Sequence, residues 1–239
     1  MKETIEHIET KENEPKQIIV ELGPGDRPVV WRLTRDGKAR YEIKGETLFS
    51  VKPGDVFCAV DLPPNKSIDV FRRHIRNKEN LDAEEGRAKS HLKSIKKELK
   101  EFLPNGVSSE VLHADGQRLP FADNYIDVLF MANVMGGHVR DDQLGGFEAS
   151  GQRILREKQN LIKEAKRVLK IGGKLIVEEE YFPAENVKTA LQKIINDLKQ
   201  DKEFGVRDLT DPENAIFVLE LTKQEVQPKS PSLITNLNL

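Results

Sequence analysis

The hydrophobic positions of the chain change period along its length, and those changes mark its elements. Gln17–Leu22 (Q-I-I-V-E-L) is a short, nearly continuous apolar run closed by a glycine turn. That pattern predicts a strand buried on both faces of a parallel sheet. From Val29 the period becomes two. Val29, Trp31 and Leu33 alternate with polar residues up to Asp36–Gly37, and Tyr41 and Ile43 alternate beyond it. This predicts a β-hairpin with an Asp-Gly turn. A third short strand is expected at Thr47–Val51, before Lys52–Pro53–Gly54–Asp55, and Val56–Leu62 is a second buried strand.

Across Asn65–Leu103 the spacing becomes helical, with Leu92, Ile95, Leu99, Phe102 and Leu103 on one face and Gly86 as a break. Glu110–Ala114 and Tyr125–Ala132 read as the third and fourth strands of the sheet. A glycine-rich loop, Gly136–Gly151, leads into a helix with Ile154, Leu155, Leu161, Ile162, Ala165, Val168 and Leu169 as its apolar positions. Gly172–Gly173 is expected to cap that helix, with Lys174–Val177 starting the fifth strand, and Tyr181 lying just beyond its end. Val187, Ala190, Leu191, Ile194, Ile195 and Leu198 define another helix. Phe204–Leu209 and Ala215–Thr222 flank the turn Asp211–Asn214 and predict an antiparallel edge pair. Strands alternating with helices give an α/β fold, a seven-stranded, mostly parallel sheet with an antiparallel edge strand.

Composition narrows the picture. The 239 residues divide into one domain over 17–223, with the hairpin inserted at 29–51, and two polar tails, 1–16 and 224–239, the first expected to be disordered. No stretch approaches the ~18 apolar residues of a membrane span, so no membrane contact is expected. Met1–Lys16 is acidic and polar, without the apolar core of a secretory signal. The single cysteine, Cys58, excludes an internal disulfide and a cysteine-cluster zinc site. Net charge is -2, with no global basic signal for nucleic acid. A cytoplasmic location is the expectation.

Three places carry candidate chemistry. Glu21-Leu22-Gly23-Pro24-Gly25-Asp26 follows the first strand, where an open α/β sheet binds ligands beyond its carboxyl ends. Glycines there let backbone N–H groups approach a ligand, although a tight turn alone explains them equally. Asp61 ends the second strand, where a carboxylate can accept from two ribose hydroxyls; acidic strand ends are also common for solvation. The segment His113–Asp127 (H-A-D-G-Q-R-L-P-F-A-D-N-Y-I-D) is the most specific, with Asp115 ending a strand and Gly116 leaving room for a planar group.

These segments, with E-A-K-R-V-L-K-I-G-G-K-L-I-V at Glu164–Val177, occur in the order found in class I S-adenosylmethionine-dependent methyltransferases. The chain resembles that family from about Gln17 to Thr222, apart from Val29–Val51. The resemblance implies a Rossmann-like three-layer sandwich with S-adenosyl-L-methionine as cofactor. Glu21, Gly23 and Gly25 would line its methionine moiety, and Asp61, with Leu62 beside it, would bind the ribose. Asp115 would accept from the adenine amino group, with Gly116 and Gln117 beside the ring, and Asn133 would lie near the sulfonium. Two positions depart from the family pattern. Arg27 stands where a third glycine is usual, and Asp61 follows Glu21 by about forty residues rather than the usual ~20, because of the hairpin.

Methyl transfer needs an aligned acceptor, and an oxygen acceptor also needs a general base. His138, in the loop after the fourth strand, is the base candidate; a surface-loop histidine is the other reading. Asp141 and Asp142 read as turn residues, and Tyr181 and Phe182 as pocket or packing residues. Arg72–Lys100 carries ten Lys/Arg against five Asp/Glu and reads as a solvated helix face. No histidine spacing proposes a metal. The expected function is methyl transfer to a small-molecule acceptor. Two alternatives stand beside it. One is a non-catalytic, methyltransferase-like binding or scaffold protein. The other is a nicotinamide-dependent oxidoreductase, disfavoured by Pro28 where a last glycine belongs.

Overall fold

β1 (Ile18–Leu22) is buried at every position, as a continuous apolar run demands of a strand covered on both faces. It pairs in parallel with β4 (Val56–Asp61) on one side and β6 (Ile126–Ala132) on the other. β5 (Ser108–His113) extends the sheet beyond β4, and β7 (Leu169–Glu180) beyond β6, both in parallel. β9 (Ile216–Lys223) and β8 (Phe204–Asp208) close that side as antiparallel neighbours, so the order is β5-β4-β1-β6-β7-β9-β8. The sheet is therefore the seven-stranded, mostly parallel one with an antiparallel edge that the alternation of patterns predicts. The computed structural model describes residues 17–23, 39–61, 90, 93–132, 147–180, 185–210 and 216–225.

Two apolar layers sandwich the sheet. On one face Val20, Leu22, Val60, Leu129 and Met131 pack against α2 (Phe147–Val168) and α3 (Glu185–Gln200) through Leu161, Ala165, Ile194 and Leu198. On the other face Ile19, Phe57 and Phe130 pack against Ile95 and Leu99 of α1 (helical over 93–102) and against a hairpin. That hairpin is β2 (Arg40–Ile43) with β3 (Glu46–Ser50). Tyr41 packs edge-on against Phe130 with ring centroids 4.9 Å apart, and it stacks on Phe49 at 5.5 Å. Tyr41 thus packs the hairpin onto the sheet.

Several local expectations change. The described hairpin turns at Lys44–Gly45, both with positive φ, which matches the right-handed strand twist. The expected partner strand around Val29–Leu33, with Trp31 and the Asp36–Gly37 turn, lies outside the described residues. So do most of the Asn65–Leu103 segment and the tails, except Gln224 and Glu225. α2 starts at Phe147, inside the predicted glycine loop, because one glycine costs only ~1 kcal/mol in a 22-residue helix. Nor does Gly172–Gly173 cap it. Leu169, fully buried, pairs at once with Ile126, and the chain bulges through Lys170–Gly173 before Lys174 pairs with Val128. The last helical carbonyls are satisfied from elsewhere: Arg167 O by the Asn124 amide at 2.9 Å, Val168 O by Tyr125 at 2.7 Å, and Lys166 O by the Lys223 ammonium.

Candidate functional site

β1, β4 and β5 end at one level, since Leu22 pairs with Val60 and Val60 with Leu112. Order in the sheet reverses between β1 and β6, which leaves a crevice beyond the carboxyl ends. Gly23 donates its amide to Val60 O at 2.8 Å and then turns with φ +65, a left-handed conformation that glycine adopts at no cost. After β5, Ala114 donates to Asp61 O at 3.0 Å. Asp115 then closes a turn on itself: its Oδ1 accepts the Gln117 amide at 3.0 Å and its carbonyl accepts the Arg118 amide at 2.7 Å.

These three strand exits border one cavity of about 210 Å³. Gly23, Asp61, Asp115, Gly116 and Gln117 all line it, so five of the predicted cofactor residues come together. Leu22, Val60 and Ala114 form apolar walls. α2 contributes the remaining wall through Lys158 and Leu161. The sheet fixes the carboxylates, and the helix sets the width of the space facing them.

Other predicted residues fall elsewhere. Glu21 is 1% exposed and pairs with Ala59 and Phe130, which belong to the hairpin-side layer, so it faces away from Leu22 and does not line this cavity. Gly25, Leu62, Asn133 and His138 lie outside the described residues. Cys58 is buried in β4; burial, then the facing Glu110 carboxylate, pushes its thiol up to about 12, so it is a core residue rather than a nucleophile.

Sequence reasoning missed Lys158. It is 9% exposed and occupies a core position of α2, in line with Leu161, Ala165 and Val168. A lysine inside an apolar stripe was the available signal. Glu178 and Glu179 are also buried, because β7 runs on beside Val218 and Phe217 as far as Glu180.

The turn after β5 is held by the same helix. Asn160 Nδ2 donates to Gln117 Oε1 at 2.9 Å, and Glu164 Oε1 accepts the Leu119 amide at 2.6 Å. Arg167 donates to Leu119 O at 3.1 Å, Phe121 O at 2.8 Å, Asp123 Oδ1 at 2.7 Å and both Glu164 oxygens. Hydrogen bonding to Glu164, then to Asp123, outweighs burial and holds the guanidinium above its ordinary pKa.

A larger groove of about 500 Å³ lies between α2 and α3, near Lys166, Asp197 and Asp201. It gathers none of the predicted site residues, and the smaller cavity at the strand ends is the one with convergent chemistry. Among the described residues no three His, Cys, Asp or Glu side chains gather as a metal site would require. No described helix is long and apolar enough to cross a membrane.

No curated protein matches the chain. Several solved structures align with the chain. The CurJ carbon methyltransferase is 11% identical, with a TM-score of 0.49 over 89% of this chain and 50% of its own. A SAM-dependent methyltransferase from Aquifex aeolicus is 16% identical, with a TM-score of 0.46 over 87% and 82%. A Streptococcus mutans protein solved with SAH is 13% identical, with a TM-score of 0.48 over 88% and 90%. The chain thus spans half of the first and most of the other two, and at these identities none transfers a residue role. Residues 66–177 match the sequence model of the family described as "Methyltransferase domain", a span that holds Asp115, Gly116, Gln117 and Lys158 but begins after Asp61. The matched span is just under half of the chain, 112 of 239 residues, and it runs through the open, mostly parallel α/β sheet.

Proposed function

We propose that the protein is an S-adenosylmethionine-dependent methyltransferase acting on a small-molecule acceptor. One observation carries the reading: Gly23, Asp61 and Asp115, from three separate strand exits, line a single cavity. Its donor and acceptor set suits the nucleoside end of such a cofactor. Asp61 would accept from the ribose hydroxyls and Asp115 from the adenine amino group, with Leu22, Val60 and Leu161 against the apolar ring faces. At about 210 Å³ the space is smaller than the ~300–1,000 Å³ of whole ligand sites, so it takes part of the cofactor. The methionine end would extend towards Gly25 and Asn133.

The bound cofactor supplies an electrophilic methyl group on a sulfonium. The chain's own task is to hold the acceptor in line and keep water out, which supplies most of the acceleration. For an oxygen acceptor, His138 is assigned as the base that takes the hydroxyl proton. A small molecule is favoured because the basic run over Arg72–Lys100 lacks the interleaved aromatics that would stack bases.

Calorimetric titration with S-adenosylmethionine, S-adenosylhomocysteine and a nicotinamide dinucleotide tests the reading. Binding of the first two, lost in Asp61→Ala, is expected. Absence of binding at millimolar ligand would overturn it and favour a non-catalytic binding protein; selective binding of the dinucleotide would favour an oxidoreductase.

A further inference from the structure

The turn that carries Asp115, Gly116 and Gln117 has little structure of its own. Between β5 and β6 the chain makes only the isolated bridge Asp115–Arg118, and Arg118, Pro120, Ala122, Asp123 and Asn124 are all exposed. Such a segment keeps a fixed shape only if something outside it supplies its hydrogen bonds. One face of α2 does so. Asn160, Glu164 and Arg167 stand at i, i+4 and i+7, and each donates to or accepts from the segment.

The bonds form a graded series. Asn160 holds the Gln117 side chain, Glu164 holds the Leu119 amide, and Arg167 holds the carbonyls of Leu119 and Phe121 and the carboxylate of Asp123. Glu164 is gripped in turn by the Arg167 guanidinium at 2.6 and 3.0 Å. These are charge-assisted, forked bonds, shorter and stronger than neutral ones. The same helix presents Lys158 and Leu161 to the cavity. So the distance between the Asp115 carboxylate and the α2 wall is set by this network.

We infer that Arg167, acting through Glu164, is a positioning residue for nucleoside recognition: it clamps the 115–123 segment to α2 and thereby fixes the width of the cavity between Asp115 and Lys158. The inference rests on the nucleoside reading of that cavity. It makes a particular demand on ligands. Relaxing the clamp must weaken any ligand that carries the nucleoside, by the same factor whether or not the amino-acid arm is present.

The experiment uses the full chain with two probes, S-adenosylhomocysteine and 5′-methylthioadenosine, which lacks the arm. Both are titrated by calorimetry into the unaltered protein, Arg167→Met, Arg167→Lys and Asn160→Ala. Arg167→Met is expected to weaken both probes about tenfold, the effect of losing one charge-assisted hydrogen-bond set. Arg167→Lys restores charge but not the fork, and is expected to recover only part of the loss. Asn160→Ala, which breaks one exposed bond, keeps the protein folded if Arg167→Met does not, and is expected to weaken both probes about threefold. Hydrogen exchange of residues 115–123 is expected to quicken in step with these losses.

If the unaltered protein binds neither probe, the nucleoside reading itself fails. If it binds both and the variants bind as tightly as it does, the clamp is overturned. Loss for S-adenosylhomocysteine alone would also overturn it, because the arm and not the nucleoside would then be what Arg167 serves.

Discussion

A Cβ on Gly116 would lie 2.8 Å from Leu161 Cδ2 and 2.9 Å from Leu22 Cδ2. The turn after β5 is therefore packed directly between the end of β1 and the wall of α2. Gly116 is needed first for this close approach, and any room it leaves for a planar ring comes with it. Gly116→Ala would force both leucine ends to move, an overpacking cost of about 1–3 kcal/mol. The urea midpoint should fall with an unchanged slope, and S-adenosylhomocysteine should bind more weakly. An unchanged midpoint would mean that the leucine side chains yield freely.

The parts of this site that were legible in the sequence are those fixed by strand ends. Gly23, Asp61 and Asp115 each follow an apolar run, and a parallel sheet places the ends of neighbouring runs together. Lys158 was not legible by the same means, because a lysine in a helix reads as solvent-facing unless its place in the stripe is counted. Glu178 and Glu179 were missed for a related reason. A glutamate in a strand does not read as an interior residue, yet pairing with β9 carries Glu178 and Glu179 there. The Lys44–Gly45 turn was overlooked beside the stronger Asp36–Gly37 signal, and only the pairing of Tyr41 with Phe49 reveals it. Long-range pairing, not local pattern, decides each of these.

Tyr41 offers a second test. Its ring is 3% exposed, between Phe49 and Phe130, and its hydroxyl is buried without a hydrogen-bond partner among the described residues. A buried unsatisfied hydroxyl costs about 1–3 kcal/mol. Tyr41→Phe should therefore stabilise the protein by about 1 kcal/mol, whereas Tyr41→Ala should destabilise it by about 3–5 kcal/mol. Chemical denaturation of the two variants separates ring from hydroxyl. Destabilisation by Tyr41→Phe would reveal a partner for the oxygen.

Cys58 predicts a pH dependence. Its thiol is raised from 9.0 to about 12, by burial first and by Glu110 second. The folded state then keeps the proton at pH values where the unfolded chain has lost it. Stability is fully present below pH 9 and falls by about 1.4 kcal/mol per unit as pH rises towards 12. Cys58→Ala removes this slope at the cost of a small cavity. Urea midpoints measured from pH 8 to 11 should converge for the two proteins as pH rises. Parallel curves would show that Cys58 does not titrate differently on folding.

Lys158 is the remaining charge in the cavity, facing a space that also holds Asp61 and Asp115. S-adenosylmethionine is a sulfonium cation and S-adenosylhomocysteine is neutral, so a fixed ammonium nearby must disfavour the first relative to the second. Within ~10 Å, at an effective dielectric constant near 20, that bias is on the order of 1 kcal/mol. Lys158→Met keeps most of the apolar stem in the α2 stripe and removes the charge. The ratio of the two dissociation constants should therefore shift about fivefold towards S-adenosylmethionine, and the shift should shrink as salt is added. Equal changes for both ligands would mean that Lys158 contacts the shared nucleoside instead of acting through its field. Only the ratio decides between these, because loss of packing alters both affinities together.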